Sequence, residues 1–168
     1  MVYAIGGRFL ETTGETGDFA SEQHCEQATR NLHHVIAHYH GMKSIQILLL
    51  FAIYNLRSPK GLGAWNYTGL AMRQCIELGL HRQAPLRTSP LMEEMRKRIF
   101  WTSYCLDRQV SIILGRPFAI SDRDIDVEVS LTEESPYLHV LISDYPVLTI
   151  CLATFRYRRI NRRRSSDS

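Results

Sequence analysis

Apolar residues recur at intervals of three and four along most of the chain, a pattern typical of amphipathic helices. One such stripe predicts a helix over residues 22–39, and another predicts a helix over residues 64–78, closed by a left-handed Gly79. Between them, residues 44–57 are apolar on nearly every side, so we expect other helices to enclose this segment.

The longest predicted helix has a start signal and a stop signal. Ser89 is placed as the N-cap and Pro90 as the first helical residue, while Gly115 and Pro117 end the helix. Its predicted buried stripe consists of Met92, Met95, Ile99, Leu106, Val110 and Ile113.

No segment alternates apolar and polar residues as a half-buried strand would, so the predicted fold class is all-α, an irregular multi-helix bundle that is incomplete. We divide the chain into an N-terminal remnant (1–20), a helical domain (21–130), a partial or aberrant helical extension (131–155) and a basic disordered tail (156–168). The longest apolar run is too short for a membrane span, which needs about 20 residues.

Charge is distributed unevenly along the chain. The formal net charge is +3, but residues 156–168 alone contribute +5, so the remaining residues carry −2. A basic cluster of this kind is typical of a nuclear-localisation signal, a phosphate contact or a solvated terminus. The candidate residues for localisation or phosphate contact are Arg158, Arg159, Arg162, Arg163 and Arg164.

Residues with catalytic or metal-binding chemistry do not form a recognisable motif. The four cysteines are 50, 30 and 46 residues apart, too far for a sequence-local metal site, and we expect small buried hydrophobes in a reducing compartment. His34 and His38 have the i,i+4 spacing of metal ligands but no third ligand nearby. We therefore predict no catalytic residues, and no metal or other cofactor in this chain.

Several short motifs occur in a fixed order between residues 44 and 127. They are a Trp-containing helix that ends in LGLHR, a stretch from Glu94 to Trp101, Leu-Asp-Arg, Gly-Arg-Pro and Asp-Ile-Asp. Their residues are Trp65, Gly69, Leu78, Gly79, His81, Arg82, Glu94, Arg98, Trp101, Asp107, Arg108, Gly115, Arg116, Pro117, Asp124 and Asp126. Together they resemble the regulatory middle homology domain of fungal zinc-cluster transcription factors, of the xylanolytic-activator type.

The resemblance implies a nuclear domain that regulates RNA polymerase II transcription through intramolecular contacts or protein partners of the transcription machinery. Zinc and DNA binding belong to a six-cysteine module in this family, and that motif does not occur in this sequence. We therefore expect this chain to be a fragment without the DNA-binding module. DNA would be contacted only through that missing module, and we expect no contact with membranes. A homodimer is a further candidate assembly. The sequence also lacks the proline that usually follows Asp-Ile-Asp in the family.

The motif residues also have a purely structural interpretation. Gly69 permits close helix packing, and Trp65 and Trp101 supply buried apolar area. Asp107, Arg108 and Arg116 are predicted to form ion pairs with one another or with residues 122–126, which would hold that loop against the bundle. The competing functions are a small helical enzyme or ligand-binding domain, direct nucleic-acid binding through the arginine tail, and a non-functional truncated product.

Overall fold

The structure, a computed structural model, describes residues 1–14, 17, 19–32, 41–58, 63–83 and 89–128. In these ranges the chain is mainly helical and contains no strand, which confirms the all-α prediction. The elements are α1 (Val2–Thr13), α2 (Ser21–Arg30), α3 (Met42–Arg57), α4 (Ala64–Glu77), α5 (Pro90–Leu114) and a 3-10 helix, η1 (Asp122–Asp124). The predicted extension at 131–155 and tail at 156–168 lie outside the described residues.

Helix α1 is an integral part of the packing, although the sequence sets residues 1–20 apart. It packs against α2 and α3, and its Ala4 is fully buried. The Arg8 guanidinium donates a hydrogen bond to the carbonyl oxygen of Arg57 at the end of α3, over 3.1 Å. This contact satisfies one of the carbonyl groups that a helix end leaves free.

In the described part of the chain, the predicted helix over 22–39 is interrupted at Asn31, and Leu32 is again helical. Helix α2 ends at Arg30, and the Asn31 amide donates to the carbonyl oxygen of Gln27 over 3.4 Å. An asparagine side chain that hydrogen-bonds the last turn of a helix favours an interruption there, which the apolar spacing does not reveal. Residues 33–39 lie outside the described part of the chain.

The central helix is α3, which packs on α1, α4 and α5. Only Lys43 and Gln46 of this helix are exposed, as its nearly continuous apolar sequence predicts. Its buried side chains join those of α4 and α5 in one hydrophobic core. Residues of that core include Ile45, Leu48, Ala71, Met72, Cys75, Phe100 and Tyr104.

Helix α5 begins and ends where the sequence predicts. The Ser89 side chain accepts a hydrogen bond from the Met92 N–H, and Gly115 adopts a left-handed φ of 63°. The predicted buried stripe is correct only in the middle: Met92, Met95 and Ile113 are 45%, 41% and 64% exposed. With 25 residues, α5 is longer than α3 or α4, so its two ends project beyond the helices that cover its centre.

Candidate functional site

Most of the family motifs meet where the chain returns along α5. We call residues 116–128, which follow Gly115, the return segment. Three α5 side chains hold it at successive points: Asp107 accepts from the Ala119 N–H (3.0 Å), the Tyr104 hydroxyl donates to the Asp122 carboxylate (2.9 Å), and the Trp101 Nε1–H donates to the Glu128 carbonyl oxygen (3.1 Å). The residue numbers on the segment rise from 119 to 128 while those of their partners on α5 fall from 107 to 101. The segment therefore runs antiparallel to α5.

Arg108 is the centre of these contacts and is only 5% exposed. Its Nη2 donates to the carbonyl oxygen of Ile120 over 2.7 Å and to the carboxylate of Asp122 over 2.8 Å. The guanidinium carbon lies 4.6 Å from the centre of the Tyr104 ring and 3.9 Å from that of Phe118. Charge pairing, hydrogen bonding and ring contact therefore act on one buried side chain. We call this arrangement of Tyr104, Asp107, Arg108 and Asp122 the clasp.

Burial raises the pKa of two members of the clasp, Asp107 and Tyr104. It raises the pKa of Asp107, an effect that the Ala119 N–H and the Arg108 charge partly offset. It also raises the pKa of Tyr104 to about 12, against smaller opposing effects of Arg108. Tyr104 is therefore a neutral hydrogen-bond donor at physiological pH, and the Arg108–Asp122 pair is the salt bridge that the structure shows in the clasp.

The end of α4 forms a second attachment for the return segment. The carbonyl oxygen of His81 accepts from the N–H groups of Asp126 and Val127, over 3.1 and 3.2 Å. The Asp126 carboxylate accepts from the Gln83 N–H over 3.0 Å and pairs with Arg82 over 3.4 Å. The His-Arg and Asp-Ile-Asp motifs are thus joined, mainly through the backbone.

A turn at Gly79 places the backbone of His81 at this attachment. Gly79 has a left-handed φ of 63°, and the Leu80 N–H returns to the Cys75 carbonyl oxygen over 2.8 Å. This is the hydrogen-bond pattern of a Schellman helix end. The Gly79 carbonyl oxygen also accepts from Arg96 of α5 over 3.0 Å, while Leu78 is 37% exposed. The LGLHR motif therefore ends α4 and connects it to α5.

Apolar side chains of the return segment complete its attachment. Ile120, Ile125 and Val127 are buried in the main hydrophobic core, together with Trp101. Trp101 is buried as the sequence predicts, and its ring packs edge-on against Tyr104, with centres 5.3 Å apart. The segment is therefore part of the core although most of it is not helical.

Two predictions about individual motif residues are wrong. Arg116 does not join the clasp, because its guanidinium carbon lies over the Trp65 ring, 4.4 Å from the ring centre. Trp65 itself is half-buried. Gly69 does not serve close helix packing, since a Cβ built there meets no heavy atom within 4 Å.

The remaining motif residues lie outside the clasp. Gly115 ends α5, and the Pro117 carbonyl oxygen accepts from the Ser111 hydroxyl over 3.3 Å. Asp124 is exposed in η1. Glu94 and Arg98 form an i,i+4 ion pair of 2.7 Å on the partly exposed N-terminal half of α5. The candidate residues Arg158, Arg159, Arg162, Arg163 and Arg164 are outside the described part of the chain.

The sequence motifs did not single out Tyr104, which the structure places in the clasp. Asp122 lies within residues 122–126, for which an ion pair with Arg108 is predicted, and the 2.8 Å Arg108–Asp122 pair confirms that prediction. Helical spacing carried part of the signal: Tyr104 is four residues before Arg108 and three after Trp101, so the three share a face of α5. Which carboxylate of residues 122–126 pairs with Arg108 depends on how the chain turns after Gly115, and spacing along one helix does not reveal this.

The described residues offer little for catalysis. They include no group of three or more His, Cys, Asp or Glu side chains that could hold a metal ion. Cys75 is buried, and burial raises its pKa to about 11, so it is not an activated thiol. A groove of about 440 Å³ lies between α2 and α3, lined in part by Cys25, Glu26 and Tyr54. No helix in the described ranges has the length and apolarity that crossing a membrane requires.

Comparison with known proteins gives a consistent picture. A family model described as the fungal specific transcription factor domain matches residues 1–142. A negative regulator of pleiotropic drug resistance from Candida glabrata is 36% identical over 134 residues, which is 76% of this chain and 13% of that protein. A pyrimidine pathway regulatory protein from Saccharomyces cerevisiae is 28% identical over 172 residues, which is 95% of this chain and 19% of that protein.

A positive regulator of purine utilization from Emericella nidulans is 30% identical over 127 residues, covering 58% of this chain and 12% of that protein. The chain therefore spans between 12% and 19% of the length of these three relatives. No solved structure matches the chain.

Proposed function

The chain belongs to the family of fungal specific transcription factor domains, and from this premise we propose how its regulatory role is exercised. It is a regulatory domain of a transcription factor and not an enzyme. In our proposal it is part of a longer nuclear protein and controls RNA polymerase II transcription through intramolecular contacts or contacts with proteins of the transcription machinery.

The observation that carries this proposal is the structural role of the motif residues. Most of them attach the return segment to α4 and α5 instead of lining a cleft with reactive groups. A non-helical segment held at fixed points presents a defined surface to another module or protein. Such a surface suits a domain that regulates by contact.

We propose that a separate module of the complete protein binds zinc and DNA. The four cysteines of this chain are 50, 30 and 46 residues apart, which does not suit the six clustered cysteines of a zinc-cluster module. We propose that this chain takes no cofactor of its own. We also propose a nuclear location, with the arginine-rich tail as the candidate import signal or phosphate contact.

A reporter assay tests the regulatory role. The full chain is inserted between a heterologous DNA-binding module and an activating segment, and reporter output in yeast is compared with a fusion that carries a flexible linker of the same length. We expect the chain to change reporter output. We expect Arg108→Ala to remove that change, because it releases the return segment.

The matched control is Arg98→Ala, which removes a partly exposed ion pair from the same helix. It should leave the effect of the chain on the reporter intact. Immunoblots establish that all fusions are present at equal levels. Equal output from the chain and linker fusions would contradict the proposal, as would an equal loss of the effect in both arginine variants.

A further inference from the structure

The N-terminal end of α5 carries exposed apolar side chains, which we call the entry patch. They are Leu91, Met92 and Met95, which are 78%, 45% and 41% exposed. One edge of the patch adjoins α3, where the Gln46 amide lies 3.8 Å from the Met95 sulfur. We propose that residues 137–155 of the same chain cover the entry patch.

The direction in which the chain leaves the clasp supports this occupant. Contacts to α5 move from Asp107 through Tyr104 to Trp101 as the return segment proceeds to Glu128. At Glu128, its last described residue, the segment therefore runs towards the N-terminal end of α5, where the entry patch lies.

The distance to the patch is within reach of the connecting residues. Trp101 and Leu91 are ten positions apart on α5, which corresponds to about 15 Å along the helix. Residues 129–136 precede the apolar segment, and eight residues span at most roughly 27 Å when extended. This allows for passage around the helix as well as along it.

The chemistry of the two surfaces is also matched. Residues 137–155 contain one charged side chain, Asp144, and are otherwise mostly apolar. The acidic side chains beside the patch are already paired, Glu93 with Lys97 and Glu94 with Arg98. A segment with a single charged side chain therefore brings little charge to the patch.

Size favours the chain's own segment over a second copy. A stable interface between proteins uses about 20–30 residues a side, whereas the entry patch consists of three. A segment tethered by a short connection has an effective concentration of the order of millimolar. Such a segment can occupy a patch that is too small to hold a separate molecule.

Cysteine crosslinking tests the proposal, since residues 137–155 contain Cys151 as their one cysteine. The full chain carries Leu91→Cys together with Cys25→Ser, which removes the half-buried thiol; Cys75 and Cys105 are buried. The matched control carries Ile113→Cys, at a site 64% exposed on the same helix. The two positions are roughly 33 Å apart along the axis, and a bis-maleimide of much shorter reach is used.

Peptide mapping of the crosslinked monomer identifies the linked residues. We expect position 91 to link to Cys151 within one chain, exceeding links between chains by roughly 100-fold at about 10 µM protein. The Ile113→Cys chain should give little of this product. Circular dichroism verifies that both variants retain their helices.

Three results would overturn the proposal. Equal yields from positions 91 and 113 would show no preference for the patch. Links between two copies at position 91 would identify a second chain as the occupant. Complete single-maleimide labelling at position 91, without a link to Cys151, would show that the patch stays uncovered.

Discussion

Replacing Arg108 with alanine should destabilise the domain strongly, because no other described side chain provides all its contacts. The substitution removes two charge-assisted hydrogen bonds and two ring contacts. It also leaves the Ile120 carbonyl oxygen without this donor. Removing one member of a buried ion pair costs about 3–5 kcal/mol. The Asp122 side chain is 26% exposed and can be hydrated, so we expect about 3 kcal/mol, the low end of that range.

Urea denaturation followed by circular dichroism measures this loss. A thermal scan should show a midpoint lower by roughly 6–12 °C, since 1 kcal/mol corresponds to about 2–4 °C for a domain of 150–250 residues. The control Arg98→Ala breaks a pair whose side chains are 57% and 31% exposed, and should cost about 0.5 kcal/mol or less.

A double-mutant cycle with Asp122→Asn separates the pair from other effects of the substitutions. We expect a coupling free energy of the order of 1–3 kcal/mol between positions 108 and 122. Equal destabilisation by Arg108→Ala and Arg98→Ala, or additive effects in the cycle, would refute the role assigned to the clasp.

Two further predictions concern pH and glycine. Burial raises the pKa of Asp107 above its ordinary value of 3.8, so the folded state binds more protons and this group's contribution to stability falls as pH rises from 3.8 through the folded pKa. Asp107→Asn should therefore flatten the dependence of the midpoint on pH relative to the parent chain; parallel curves would contradict this. Gly69→Ala should stabilise by about 0.5–1 kcal/mol, because its Cβ meets open space in a helix. Gly115→Ala should destabilise by about 1–2 kcal/mol, because φ is +63° there. Urea midpoints that shift in the same direction for both glycines would show the assignment of one to be wrong.

Helix positions and ends were predictable where a local signal decided them. The Ser89 cap and the left-handed Gly115 act on groups within four residues of themselves, so their sequence is sufficient to place the ends of α5. The enclosed position of α3 followed from an apolar content that a helix can bury only among other helices.

Burial along α5 was less predictable than its ends. Periodicity identifies one apolar stripe, but the stripe is buried only where another element lies opposite. Met92 and Ile113 extend beyond the shorter helices and stay exposed, whereas Asp107 and Arg108, which are charged, are buried at the centre. Their burial depends on the return segment, which supplies hydrogen-bond partners for both.

By itself, the sequence determined the helical class, the limits of α5 and the family, because these depend on local spacing and motif order. Only the tertiary structure decided the exact partners: Asp122 among residues 122–126 for Arg108, Asp126 for His81, and Trp65 for Arg116. Charged side chains in a sequence carry no record of which opposite charge they meet. That choice depends on where the chain turns and what it buries, and a buried charge is stable only beside a partner that the fold brings to it.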